Sequence, residues 1–201
     1  MKRVVVSQRV DVVEKYDERR DALDQRWTGL LAKCGFAALP APNQPAVAAD
    51  LADDPAVAGI LLTGGNDLAK YGGNAPERDA TDRRLIEFAL QKNLPLLGVC
   101  RGMQSVQDHF GIPLARVEGH VCASQEIAID GRRTTVNSYH CFGSRSSSAE
   151  LEVWAVSDDG VVKAVRHTHR KVLCVMWHPE RFAAFREDDL AMFRGFFGGA
   201  R

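Results

Sequence analysis

The sequence predicts an α/β fold: a mostly parallel sheet flanked by helices, with an antiparallel extension. Three observations carry that expectation. Short β-rich runs alternate with helical patterns through the first half of the chain, as βαβ units do. Two of the runs, GILLTGG (59–65) and LPLLGVC (94–100), are almost wholly apolar, the mark of strands buried on both faces. After about residue 120 the alternation stops, and strand-like stretches follow one another across DG turns at 130–131 and 159–160.

Taken in order, Val4 to Ser7 read as the first strand. A helix is expected next, because Val13, Tyr16, Leu23, Trp27 and Leu30 recur at three- and four-residue steps, with Arg20 inside the stripe. Ala37 to Pro40 make a short second strand, and residues 41 to 50 a Pro/Ala-rich connection. The buried strand 59–65 runs into two glycines. Residues 80 to 92 form an amphipathic helix, 94–100 another buried strand, and MQSVQDHFG a helix ended by Gly111. Stretches around Gln125–Ile129, Thr134–Ser138, Glu152–Val156 and Val161–Arg166 suit an antiparallel meander. VLCVMW (172–177) is a final buried strand, and residues 187 to 197 a closing helix. Without repeats or a clear linker, residues 1–201 are expected to form a single domain.

Composition narrows the classes of function. Basic and acidic residues number 26 each, so there is no electrostatic footprint for nucleic acid or an anionic membrane surface. The apolar runs are too short to span a bilayer, and the start MKRVVVSQRV does not read as a signal peptide. Five scattered cysteines, at 34, 100, 122, 141 and 174, contain no CxxC pair. A disulfide framework or zinc site is therefore not expected, and a reducing cytoplasm is the expected location.

The chemistry is expected at GVCRG (98–102). Glycines flanking one reactive side chain form the G-x-S-x-G elbow pattern, here with cysteine, in which a sharp strand-to-helix turn exposes the nucleophile. The helix that follows directs N–H groups and partial positive charge at the thiol, favouring thiolate. A buried cysteine beside tight-turn glycines would give the same five letters. What separates the two readings is the strand VLCVMW, which leads into His178-Pro179-Glu180. That histidine can act as general base, with the carboxylate two residues on holding its tautomer. TGGND (63–67), at a third strand end, can offer backbone N–H groups to an oxyanion. Open α/β sheets gather such strand ends along one edge.

GVCRGMQ, TGGND and WHPE, in that order and spacing, resemble the class I glutamine amidotransferase superfamily. The C-R-G elbow and NSYH (137–140) are similar to its γ-glutamyl hydrolase branch, from residue 3 to about 181. Within that branch SQR, YDERRDALDQRW, GGNDL, ERD, NSYH, HTH and MWHPER resemble the γ-glutamyl-CDP-amidate hydrolases, which serve phosphoramidate decoration of capsular polysaccharide. The resemblance implies a flavodoxin-like amidotransferase fold and a Cys-His-Glu triad of Cys100, His178 and Glu180. It implies oxyanion donors at Gly65 and Arg101, with Gly64 as the alternative to Gly65. It further implies substrate contacts at Gln104, Asn137 and Tyr139, with His140 a further pocket candidate. No cofactor is called for, and the only partner implied is a small γ-glutamyl substrate. Cys141-Phe142 departs from the histidine and glutamine common in the branch.

A diphosphate-bearing leaving group would need guanidinium groups. Arg9, at the end of the first strand, and Arg20, on the first helix, are the candidates, with Arg78 and Asp79 beyond the GGNDL loop behind them. Glu18 or Asp24 would otherwise pair with Arg20. His167 and His169 share a strand face but lack any further ligand motif, so no metal is expected. The remaining cysteines are expected to be packing residues. Other readings of the same residues are a γ-glutamyl-amine hydrolase, the glutaminase subunit of an amidotransferase, and a silent binding module. An intact Cys100, His178 and Glu180 argues against the last. Oligomeric state is not legible.

Overall fold

Strand β1 (Arg3–Val6) opens the core, its three valines wholly buried, in a computed structural model that describes residues 1–199. The helix expected between Val13 and Leu30 forms only in its second half. Its first half is a hairpin of β2 (Arg9–Val13) and β3 (Glu18–Ala22), with Val13 opposite Glu18 and Asp17 in the left-handed region at φ 51°. Valines at 10, 12 and 13 are stiff at χ1 and suit an extended chain, and only Val10 among them needs burial. Tyr16, which a helical stripe would have covered, is 58% exposed. The helix proper, α1 (Gln25–Lys33), starts where Asp24 caps it by accepting the Arg26 N–H at 3.0 Å, and it buries Trp27 and Leu30 as the periodicity predicts.

Strand β4 (Ala37–Pro40) pairs in parallel with β1. The connection expected over 41–50 is in part a helix, α2 (Pro45–Ala52). Proline at its first turn has no N–H to waste, and Ala48, Ala49 and Ala52 are small enough to sit buried. Strand β5 (Val57–Leu62) is buried along its whole length, so both faces of the sheet are covered. Helix α3 (Pro76–Lys92) begins four residues earlier than the sequence suggests, again on a proline. Strand β6 (Leu96–Val99) and helix α4 (Arg101–His109) follow, joined by Cys100 alone.

The second half is built of β7 (Ala115–Arg116), β8 (Val121–Ile129), β9 (Arg132–Tyr139), β10 (Phe142–Gly143), β11 (Leu151–Ser157), β12 (Val162–His167) and β13 (Val172–Val175), then α5 (Glu187–Gly198). The main sheet has nine strands in the order β4-β1-β5-β6-β13-β12-β11-β8-β9. From β4 to β13 neighbours are parallel, and from β13 onward antiparallel, which matches the expected extension. Short β7 and β10 pair with each other. Helix α2 packs on α3 and α3 on α4, while α1 packs on α5. Because β5, β6 and β13 are adjacent, the loops after Leu62, Val99 and Val175 open side by side.

Candidate active site

Cys100 occupies the turn between β6 and α4 at φ 52°, ψ −104°, a conformation costly for any side chain but glycine's. The turn is held from both sides. The Cys100 N–H donates to the Val175 carbonyl at 2.8 Å, and its own carbonyl accepts the Gln104 N–H at 3.0 Å. Gly102 is required because a Cβ there would drive into the Leu62 carbonyl. The thiol is left at the N-terminus of α4, in the helix's partial positive charge.

Opposite it, His178 follows β13 and is 1% exposed. Its Nδ1 lies 2.7 Å from Glu180 Oε1, so Nδ1 donates to the carboxylate and Nε2 faces away from it. Nε2 is buried without a hydrogen-bond partner of ordinary geometry, as is common for a base before its substrate arrives. A side chain at Gly64 would come within 2.6 Å of His178 Cε1 and 3.5 Å of Cys100 Cβ, so imidazole and thiol meet over a bare glycine. Burial would lower the His178 pKa; the neighbouring Cys100 sulfur and the Glu180 carboxylate outweigh it and push it up to about 9.

Arg78 gives the 63–66 loop its shape. Wholly buried, its guanidinium donates to the carbonyls of Thr63 (2.7 Å) and Gly64 (3.1 Å), to that of Gly65, and to Asn66 Oδ1 at 3.3 Å. In a trans peptide the N–H opposes the preceding carbonyl. Turning the Thr63 and Gly64 carbonyls toward Arg78 therefore turns the Gly64 and Gly65 N–H groups to the other side. Burial and the nearby Arg101 lower the Arg78 pKa to about 9, still charged at neutral pH. Arg78 thus does not reach outward to a leaving group, which corrects the expectation for it. Asp79 does not either: it accepts from the Ala69 N–H at 2.8 Å and from Arg101. The Arg101 side chain is locked between Asp79 and Asp82, leaving only its backbone to face the site.

A cavity of about 230 Å³ lies beside the thiol, lined by Gly65, Cys100, Arg101, Gln104, Tyr139 and His140 among others. Tyr139 sets its ring edge-on to His178, under the Arg181 guanidinium. Asn137 is placed otherwise than the resemblance implies. Its amide donates to the His178 carbonyl at 2.9 Å and accepts the His178 N–H at 2.7 Å, which uses it to pin the histidine backbone rather than to grip substrate. Arg9 begins β2 rather than ending the first strand, yet it borders the site: with Arg181 it lines a smaller cleft that touches Gly64, Gly65 and Glu180. Arg20 is overturned as an inner-stripe residue. It stands on the exposed face of β3, paired to Glu18 at 2.5 Å, because the segment is a hairpin.

Among the other cysteines, Cys34 and Cys174 are buried, and burial pushes the Cys174 thiol up to about 12. Cys141 is exposed on the rim of the cavity, contrary to the packing role expected of it. His167 Nδ1 accepts the N–H groups of His169 and Arg170, at 3.0 and 3.1 Å, and so caps a turn. Residues the sequence reading missed are Asp82, His120 and Lys163. Asp82 could have been found, since Arg78, Asp82, Leu85 and Ile86 fall on one buried helical stripe. His120 and Lys163 carry no local signal.

The chain matches the family of class-I glutamine amidotransferases over residues 25–198. It is 28% identical over 179 residues, 88% of each chain, to a γ-glutamyl-CDP-amidate hydrolase of Campylobacter jejuni. It is 29% identical over 181 residues, 71% of each chain, to a γ-glutamyl-γ-aminobutyrate hydrolase of Escherichia coli O157:H7. A solved glutamine amidotransferase of Thermotoga maritima superposes with a TM-score of 0.65 over 89% of this chain and 76% of its own, at 18% identity, a likeness of fold. With the strand order, the elbow and the matched span in agreement, this chain belongs to the class I glutamine amidotransferases.

Proposed function

We propose that the chain is a cysteine hydrolase that removes the γ-glutamyl group from γ-glutamyl-CDP-amidate, giving glutamate and cytidine diphosphoramidate for capsular polysaccharide modification. The observation that carries the reading is the meeting of Cys100, His178 and Glu180 over the bare Gly64. Cys100 thiolate attacks the γ-carbonyl carbon, and the oxyanion is received by the N–H groups of Gly65 and Arg101. The imidazolium of His178 gives its Nε2 proton to the departing nitrogen, leaving a γ-glutamyl thioester. Water then gives a proton to His178 Nε2 as its oxygen adds to the thioester, and collapse frees glutamate and restores the Cys100 thiolate beside the imidazolium. Every bond made is matched by one broken, and water is the sole co-reactant.

Two features support a diphosphate on the leaving side. Arg9 and Arg181 line the cleft next to Gly65 and Glu180, and Arg9 is half exposed, paired with Asp11 among the described residues. The similarity to the Campylobacter hydrolase spans nearly the whole of both chains. The test offers purified enzyme γ-glutamyl-CDP-amidate, γ-glutamyl-γ-aminobutyrate and glutamine, with glutamate release measured. Preference for the nucleotide substrate supports the reading. Comparable turnover of all three, or glutamine turnover only with a second protein present, rejects it in favour of an amine hydrolase or an amidotransferase subunit.

A further inference from the structure

Behind the cavity, on β12, Lys163 is 1% exposed, and nothing in the chemistry above uses it. Its Nζ lies 2.8 Å from His140 Nε2, 2.7 Å from His120 Nδ1 and 3.2 Å from Ser138 Oγ. An ammonium has three protons and no acceptor, so it fits three lone pairs. His140 must then be neutral, with its proton on the far nitrogen; His120 Nδ1 faces the Gln125 amide as well, at 3.1 Å. Acceptors stand ready at both: His120 Nε2 is 3.3 Å from Asp159 Oδ2, and His140 Nδ1 is 2.9 Å from the Phe142 carbonyl. Burial lowers the Lys163 pKa to about 8 against attraction from Asp159, Cys122 and Cys100, leaving the cation dominant at neutral pH.

The Phe142 carbonyl also accepts Gln104 Nε2 at 2.9 Å. A carbonyl cannot donate, so this contact fixes which way the Gln104 amide lies and leaves its oxygen as the acceptor available to the cavity. Were His140 to carry its proton on Nε2 instead, two lone pairs would oppose each other at Phe142 and the Gln104 anchor would loosen.

We propose that Lys163 is a positioning residue that locks the His140 tautomer and, through the Phe142 carbonyl, holds the Gln104 amide with its oxygen ready for an α-ammonium, so that the cavity selects acyl groups bearing one. The inference rests on the γ-glutamyl reading for its ligand, and on geometry alone for the tautomer.

The experiment has two arms. In 15N-histidine-labelled wild-type enzyme, NMR should find the His140 proton on Nδ1; a proton on Nε2 overturns the lock without recourse to any variant. In kinetics, γ-glutamyl-p-nitroanilide is compared with glutaryl-p-nitroanilide, which lacks the α-amino group. Lys163→Met should lower the preference for the glutamyl compound about tenfold or more, chiefly through KM, the size expected for one lost hydrogen bond to a charged group. His140→Asn, whose amide can still donate toward Phe142, should keep more of that preference than His140→Leu. An unchanged ratio in Lys163→Met, or equal loss in the two His140 variants, refutes the positioning role. Wild-type enzyme that cleaves neither anilide and releases no glutamate from γ-glutamyl-CDP-amidate refutes the γ-glutamyl reading instead, while the NMR arm still decides the lock.

Discussion

Arg78 Nη2 donates to both the carbonyl oxygen of Thr63, at 2.7 Å, and its hydroxyl, at 3.1 Å, from a side chain that solvent does not touch. The same guanidinium takes the next two carbonyls, so one residue of α3 sets the direction of three successive peptide planes beside Cys100. Arg78→Lys keeps a charge but cannot reach the five acceptors the guanidinium fork does. We expect kcat to fall about 10²–10³-fold, as on loss of an oxyanion donor, with KM changed far less. Steady-state kinetics on any turned-over γ-glutamyl substrate checks this, and a fall confined to KM would contradict it.

Glu180 Oε1, at 2.7 Å from His178 Nδ1, selects the useful tautomer. In Glu180→Gln the amide NH2 can be presented to Nδ1, which would move the proton to Nε2 and remove the base. A kcat loss of about 10²–10⁴-fold is expected with the fold retained, by analogy with the triad carboxylate of serine proteases. Circular dichroism and kinetics on the same sample separate loss of chemistry from loss of structure.

Titration should expose the coupling between thiol and imidazole. His178 is pushed up to about 9 against burial, with Cys100 the largest of the groups that raise it. Cys100→Ala should therefore lower the His178 pKa, read from its imidazole resonances, while Glu180→Gln should lower it less. The linkage sign follows: a folded pKa above the unfolded value stabilises fully below about pH 6.5, and that stability is lost as pH rises through about 9. Urea unfolding across this window should show a shallower fall for Cys100→Ala. An unmoved His178 titration would disconnect the two residues.

Asn137→Ala removes two hydrogen bonds to the His178 backbone and leaves buried groups unpaired. We expect about 2–4 kcal/mol of destabilisation, and a kcat loss with KM little changed because no substrate contact goes with it. Urea denaturation and the KM–kcat split check the two halves. A large KM effect would return Asn137 to the substrate-gripping role that the resemblance implies.

The failure at residues 10–22 has a physical origin. Val13, Tyr16 and Leu23 fit a helical period, but the segment has little to bury, so the β-branched preference of Val10, Val12 and Val13 and a left-handed Asp17 decide for a hairpin. Arg20 consequently moves to the surface. The elbow was legible because tight turns demand glycine locally, and WHPE because histidine and carboxylate lie two residues apart. Arg78 was visible only as a charge near a loop, since its acceptors are backbone carbonyls, which no side-chain pattern records.

By itself the sequence determined the alternation of strands and helices, the switch to an antiparallel second half, and the three motifs at strand ends. Those depend on periodicity and turn chemistry, which act over a few residues. Only the tertiary structure decided that Arg78 holds the 63–66 loop, that Asn137 pins the histidine backbone, and that Lys163 joins His120 to His140. Their partners are 12 to 43 residues away, and burial makes such distant polar pairings obligatory without marking them in either segment.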